Sequence, residues 1–310
     1  MFIHNIKFDS LIDISNINLA IGNFDGVHLG HQKIISKLIN YSKKMKMYSA
    51  ILSFIPHPRQ YFSKQSKNYT IISDNLKIKL FNKFGIDHLI FLNFDKSVAS
   101  LTPEEFIKTI LIHKLKIKNL FVGYDFKFGK DRKGDVNLLK QISLGNDFTV
   151  SIIDPIKSNN TSEIYSSSLI RKNIHEGNFE KVNRYLGRNW SMTGRVIYGT
   201  KRASKMNFPT ANIIPPNTIH PKKGVYVVRI QYNNNSFNGV ANFGVRPTVD
   251  GSKLLLEVHI FDFKEDIYDK DLTVEFLTFI RDEKKFDNFD QLIQQVYEDI
   301  KVAKAYDLKN

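Results

Sequence analysis

The strongest constraint on this 310-residue chain is a change of pattern at Gly187. Upstream, short apolar runs alternate with helix-like stretches. Ile17–Phe24, Tyr48–Phe54, His88–Phe94, Asn119–Val122 and Phe148–Ile153 read as strands. Between them, His31–Lys44 carries Ile34, Ile35, Leu38 and Ile39 on one helical face, and Asn75–Phe84 shows the same spacing. Thr102-Pro103-Glu104-Glu105 starts a helix that runs to Leu115. A hydroxyl caps it, proline sits in the first turn, and acids lie beside the positive helix end. Ser166–Glu176 and Asn178–Leu186 read as two short closing helices. Downstream, Met192–Tyr198, Gly224–Tyr232, Phe237–Phe243, Leu254–Phe263 and Leu272–Ile280 are rich in Val, Ile, Phe and Tyr and are separated by turn formers. A final helix spans Phe289–Ala305.

Alternating strands and helices imply a parallel, Rossmann-like α/β sheet with helices on both faces. The downstream pattern implies an antiparallel barrel or sandwich followed by a helix. The expected domains are therefore 1–186 and 187–310, and the length suits two domains.

Composition removes several functions. There is no cysteine, so disulfides, thiolate zinc sites, iron–sulfur clusters and cysteine nucleophiles are excluded. The 45 Lys+Arg against 31 Asp+Glu give a formal net charge of +14. Such a charge attracts anions. Yet most of the basic residues are lysines in an Ile- and Asn-rich chain, as AT-biased coding produces, and no base-reading motif accompanies them. No nucleic-acid partner is expected. The first residues lack a basic region followed by an apolar one, and no apolar run spans a bilayer. A cytoplasmic protein without membrane association is expected.

The first chemical constellation is Gly22-Asn23-Phe24-Asp25-Gly26-Val27-His28-Leu29-Gly30-His31, between a strand and a helix. The carboxyl end of a parallel strand feeding a helix start binds phosphates, because free N–H groups and the helix dipole face the ligand. Glycines let the backbone approach them closely. His28 and His31, three apart, face one side and can donate hydrogen bonds to a phosphate gaining charge. This is the HxGH signature of nucleotidyltransferases. Pro56-His57-Pro58 and Gly123-Tyr124-Asp125-Phe126-Lys127-Phe128 follow later strands, and Ser166-Ser167-Ser168 with Arg171 opens a helix suited to a triphosphate.

The second constellation lies in the other half. Thr210 and Asn212 alternate along an extended Phe208–Asn212 segment, so both point one way, and their oxygens suit Mg²⁺ carrying phosphates. Glu257 is a carboxylate in an otherwise apolar strand. It reads either as an edge-strand surface residue or as a general base for a hydroxyl attacking ATP.

With these motifs in order, the chain resembles the bifunctional riboflavin kinase/FAD synthetases of bacteria over nearly its whole length. GNFDGVHLGH, PHP, VGYDFKFGK and SSSLIR look like the FAD synthetase motifs. GRVIYG, FPTAN, KKGVYVV, NFGVRPT, LEVHIFDF and IRDEKKF look like the kinase motifs. The resemblance implies a Rossmann-like nucleotidyltransferase domain, a β-barrel kinase domain with a C-terminal helix, and ATP, riboflavin and FMN as substrates with Mg²⁺. By carry-over, Glu257 is the kinase base, and Thr210 and Asn212 hold Mg–ATP, with Gly199 in the nucleotide loop. Arg281 is expected in a loop that closes over the flavin. His28, His31 and Arg171 act on the ATP phosphates in the first domain. Gly22, Asn23, Phe24, Gly30, Asp125, Ser167 and Ser168 line the nucleotide there, and Phe54, Phe126 and Phe128 are flavin candidates.

The chain departs from that pattern in places. Ala203 and Asn207 stand where the family's kinase loop usually has glycine, Ser204 and Lys205 replace Arg-Thr, and Ser168 replaces Thr. Three rival readings follow. One is an FAD synthetase with a decayed kinase half. Another is a basic nucleic-acid binder, supported by charge alone. The third is a flavin-storage protein, which would have no use for His28, His31 and Glu257.

Overall fold

The computed structural model describes residues 1–63, 68–157, 163–198, 208–248 and 251–307. They form two compact units, Met1–Ser167 and Ser168–Asn310. The first unit runs β1 (Phe2–Ile6), β2 (Ile17–Ile21), α1 (Leu29–Met45), β3 (Tyr48–Ile55), α2 (Pro58–Phe62), α3 (Asp74–Phe84), β4 (His88–Asn93) and α4 (Lys96–Ala99). It continues with α5 (Pro103–Glu105), a π-helix (Phe106–Lys114), β5 (Asn119–Gly123), a 3₁₀ turn (Lys130–Arg132), α6 (Val136–Ser143) and β6 (Thr149–Ile153).

The six strands pair in the order β1-β4-β3-β2-β5-β6, all parallel. The chain steps outward from β2 through β3 to β4, then resumes on the other side of β2 with β5. Strand order therefore reverses between β2 and β5, which makes the loops after these two strands the walls of the crevice. β2 is central and buried at all five positions, so its INLAI reads as an unbroken run instead of alternating. Its one polar residue, Asn18, is satisfied by Ser42 and Asn119, whose own Oδ1 accepts the Tyr41 hydroxyl at 3.2 Å. A buried amide network of this kind holds register where apolar strands alone would not.

The helix after Thr102 has the expected start. Thr102 and Glu105 form a reciprocal capping box at 3.2 and 2.8 Å. Its body, however, is π-helical, with Leu115 N–H donating to Ile110 five residues back. β1 was not expected. Its side chains are mostly exposed, so no apolar alternation marks it, and its partner β4 lies some eighty residues away.

The second unit holds α7 (Ser167–Glu176, its first residue in the other unit), α8 (Phe179–Leu186), β7 (Trp190–Ile197), β8 (Ala211–Ile213), β9 (Gly224–Tyr232), β10 (Asn235–Thr248), β11 (Gly251–Ile260), β12 (Asp271–Arg281) and α9 (Phe289–Asp307). The strands close into an antiparallel barrel in the order β10-β11-β8-β7-β12-β9. The unit begins upstream of residue 187 because α8 supplies core to the barrel. Phe179 packs on Trp190, Tyr226 and Phe276 with ring centroids 5.0–5.4 Å apart, and all four are essentially buried. Gly224, at φ +148°, lets β9 and β12 close. A Cβ there would lie 2.4 Å from the Arg281 carbonyl.

At the end of β12 and just beyond it three consecutive residues are ion-paired. Arg281 forks onto Asp299 of α9 at 2.8 and 2.6 Å, Asp282 takes Lys222 at 2.7 Å, and Glu283 takes Arg246 at 3.0 Å. Arg281 is thus the last residue of a strand and not part of a loop. Its guanidinium is committed to Asp299, whose side chain is 5 % exposed.

Candidate active sites

The loop after β2 is held in a shape few sequences tolerate. Phe24, Gly26 and Val27 all have positive φ, at 47°, 83° and 43°. For a β-branched residue such as Val27 this conformation is strained and persists only when its surroundings enforce it. They do so here. Phe24 and Val27 are buried, Phe24 packing edge-on to Phe81 and His31. Asp25 is buried, its carboxylate accepting the Ile71 N–H at 2.8 Å and its carbonyl the Ser167 hydroxyl at 2.9 Å. Nothing in the sequence marks Asp25, since an acid in a phosphate loop has no obvious place. Its role is to pin the loop.

His28 caps α1. Its Nδ1 accepts the His31 N–H at 3.4 Å, so in the neutral ring the proton sits on Nε2. The two imidazoles stack with centroids 3.6 Å apart. Gly30 makes this possible, since a Cβ there would meet the His28 ring at 3.0 Å. Gly22 begins the loop, its N–H bonded to Leu52 at 3.1 Å. The Asn23 Oδ1 is buried without a hydrogen-bond partner among the described residues. A buried acceptor left open in the loop after β2 is a place where a ligand could donate. His57 caps α2 and packs on Tyr69 at 5.0 Å.

Across the crevice, Asp125 lies exposed in the turn after β5, close over Gly123. Burial, and then the Asp125 carboxylate, push the neighbouring Tyr124 phenol above its ordinary pKa. Phe54, Phe126 and Phe128 converge on the strand ends. Phe126 and Phe128 stack at 5.5 Å, and Phe54 and Phe128 both pack on Phe106. Phe128 is core, whereas Phe54 and Phe126 are half-buried at its margin. Ser167 reaches the loop, and Arg171 follows it by one helical turn on α7. A hollow of about 340 Å³ near Tyr48, Gly85 and Asp87 lies at the opposite, amino-terminal strand ends, where this fold does not bind ligands.

In the second unit, β11 lies between β10 and β8, and Glu257 pairs with Asn242 on one side and Asn212 on the other. Its neighbours Leu256 and Val258 are fully buried, so Glu257 projects from the barrel's outer face. The row Asn242–Glu257–Asn212 places two amides and a carboxylate side by side on three strands. Thr210 lies two residues before Asn212 in the extended lead into β8. That lead is fixed by the Pro209 carbonyl bonded to His259 at 2.9 Å and by Phe208 edge-on to Tyr297. The edge-strand alternative for Glu257 fails, because β11 is paired on both sides. Gly199, Ala203, Ser204, Lys205 and Asn207 lie outside the described residues.

The two halves match two known families. The FAD synthetase profile matches residues 12–168 and the riboflavin kinase profile residues 186–307. A bifunctional riboflavin kinase/FMN adenylyltransferase of Buchnera aphidicola subsp. Schizaphis graminum is 38% identical over 307 residues, covering 98% of this chain and 97% of its own. The Escherichia coli K12 enzyme of the same name is 32% identical, covering 93% and 92%. A solved Streptococcus pneumoniae structure, named as a macrolide-efflux protein, superposes with a TM-score of 0.87 at 30% identity, covering 98% of this chain and 99% of its own. Among the described residues no helix is long and apolar enough to cross a membrane. Two ordered sites, two matching families and full-length relatives lead to one conclusion: the chain belongs to the bifunctional riboflavin kinase/FMN adenylyltransferases, with a kinase and an adenylyltransferase in a single polypeptide.

Proposed function

We propose that the barrel phosphorylates riboflavin at the row centred on Glu257, and that the α/β unit adenylylates the resulting FMN at the loop carrying His28 and His31. The observation that carries the kinase half is the register of Asn212 and Asn242 on either side of Glu257. Glu257 takes the proton of the riboflavin 5′-hydroxyl as its oxygen attacks the γ-phosphate of ATP. The bond from that phosphorus to ADP breaks, and FMN and ADP leave. Thr210 and Asn212 hold the nucleotide through its metal. Their hydroxyl and amide oxygens suit a hard cation. In this reading Mg²⁺ arrives with ATP, as part of the substrate.

In the first unit the FMN phosphate attacks the α-phosphate of a second ATP and pyrophosphate departs. FMN phosphate is already an anion near neutral pH, so no base is required. His28 and His31 donate to the α-phosphate and the leaving group, and the α1 start supplies N–H groups. Gly22, Asn23, Phe24 and Gly30 shape the phosphate seat. Ser167, Ser168 and Arg171 take the outer phosphates, and Asp125 borders the nucleotide. Of the aromatic candidates, the half-buried Phe54 and Phe126 are better placed to meet an isoalloxazine than buried Phe128. Arg281 does not contact flavin in this reading, since Asp299 holds it. Functionally the modules divide at 186/187, with α8 serving the kinase as core. Both reactions draw on the ATP pool of the cytoplasm, where we place the protein.

The test is a time course of riboflavin, ATP and Mg²⁺ resolved by chromatography. FMN should appear first and FAD second. His28→Ala should remove FAD formation and spare FMN formation, and Glu257→Gln should do the reverse. An active Glu257→Gln kinase ends the general-base assignment.

A further inference from the structure

The Glu257 carboxylate is held on one side only. Asn242 Nδ2 reaches Oε2 at 3.4 Å and Arg246 Nε reaches the same oxygen at 2.6 Å. Among the described residues Oε1 takes no hydrogen bond. Arg246 is itself fixed, donating through Nη1 to Glu283 Oε1 at 3.0 Å and to the Val245 carbonyl at 3.3 Å. The Glu283 side chain has a seat made for it. It lies over Gly244, where a Cβ would fall 2.0 Å from Oε1, so a side chain at this position would displace the Glu283 carboxylate. Glu283 follows β12, Gly244 and Arg246 belong to β10, and Glu257 to β11. A chain of charged bonds thus ties the segment after β12 to the carboxylate at the centre of the row.

We propose that Arg246, braced by Glu283, is the positioning residue of the kinase. It clamps Oε2 of Glu257 so that Oε1 alone is presented to the attacking hydroxyl. This rests on Glu257 being the base. A guanidinium suits the task because its planar fork can serve two carboxylates at fixed angles, which an ammonium cannot. A carboxylate free to rotate would spend part of its time with neither oxygen in line with the hydroxyl, and general-base catalysis depends on that geometry before anything else. Arg246 in this role touches neither flavin nor nucleotide and acts through Glu257.

The experiment uses the full chain, with conversion of added FMN to FAD as the internal control. Arg246→Met should lower the kinase kcat about 10- to 100-fold, a part of the roughly 10²- to 10⁴-fold that general-base catalysis supplies, with KM for riboflavin and for Mg–ATP changed less than about threefold. Arg246→Lys should recover part of the loss, and Glu283→Gln should cost less than Arg246→Met. In a Glu257→Gln background Arg246→Met should add almost nothing, because its partner in the reaction is already gone. Fluorescence of Trp190, the only tryptophan in the chain, reports whether each barrel is folded. If Arg246→Met unfolds it, the Arg246→Lys and Glu283→Gln losses in kcat decide. A raised KM for ATP with intact kcat would make Arg246 a nucleotide ligand and overturn the proposal. So would an unchanged kcat in folded Arg246→Met beside a dead Glu257→Gln, and then the base assignment would stand. An active Glu257→Gln would remove both.

Discussion

Replacing Arg281 by Met tests how the C-terminal helix is held to the barrel. The Arg281–Asp299 pair is bidentate and largely buried, with side chains 16 % and 5 % exposed. Removing the cation leaves a carboxylate inside the protein with, among the described residues, only the Gln295 amide, 3.1 Å away, as a remaining donor. Breaking a buried pair in this way costs about 3–5 kcal/mol, and the surviving amide argues for the lower end. For a unit of roughly 140 residues, about 3 kcal/mol is a fall in Tm on the order of 10 °C. The chain's only tryptophan, Trp190, is buried in the barrel, so its fluorescence follows this unit and not the α/β unit. Arg281→Met should lower the fluorescence-detected Tm by that amount. Arg281→Met with Asp299→Leu should recover most of it, because an apolar pair of similar volume is nearly neutral in such a site. A single variant within about 2 °C of the parent, or a double variant as unstable as the single, would refute the reasoning.

Gly30→Ala should shift the His28 ring against His31 and lower FAD formation while FMN formation stays constant, because the added Cβ meets that ring at 3.0 Å. Equal loss of both products would show that the loop does more than serve adenylylation. Gly239→Ala should destabilise the barrel by about 1–3 kcal/mol, since its Cβ would approach the His259 carbonyl at 2.4 Å; an unchanged Trp190 transition would contradict this. His4 and His88 share a hydrogen bond at 3.1 Å, and burial, with His4 acting on His88 as well, lowers both from 6.5. The folded unit therefore keeps them neutral where the unfolded chain already binds protons, so its stability falls as pH drops below 6.5 through their lowered values and is flat above. Circular dichroism melts of the α/β unit at several pH values should show this slope, and His88→Gln should flatten it; a slope unaltered by that change would assign it elsewhere.

Much of this architecture was legible because the decisive signals are local. The β2 run, the GNFDGVHLGH loop and the Thr102 capping box each act over a few residues, and each folds as its residues imply. The Thr210/Asn212 alternation was equally plain. What escaped was non-local. β1 is an edge strand with little apolar face, defined by a partner far along the chain. α8 looks like the end of the first region, yet its Phe179 is spent in the barrel core. Arg281 sits in a stretch rich in charge and poor in pattern, which reads as a loop. Only the position of Asp299 on α9, eighteen residues on, explains why it is fixed. Asn242, Arg246 and Glu283 were invisible for the same reason, since their meeting is a matter of register.

That register has a consequence for biosynthesis of the protein itself. Asn212, Asn242 and Glu257 come from three strands, and β8, which carries Asn212, pairs with β7 and with β11, which is distant in sequence. No early hairpin contains the complete row, and distant pairings form late. If this row is the kinase site, as proposed, an incompletely folded chain would have no assembled site with which to consume ATP. Phosphorylation would start only on barrel closure, so each newly made molecule would acquire its kinase activity in one step, with its final shape.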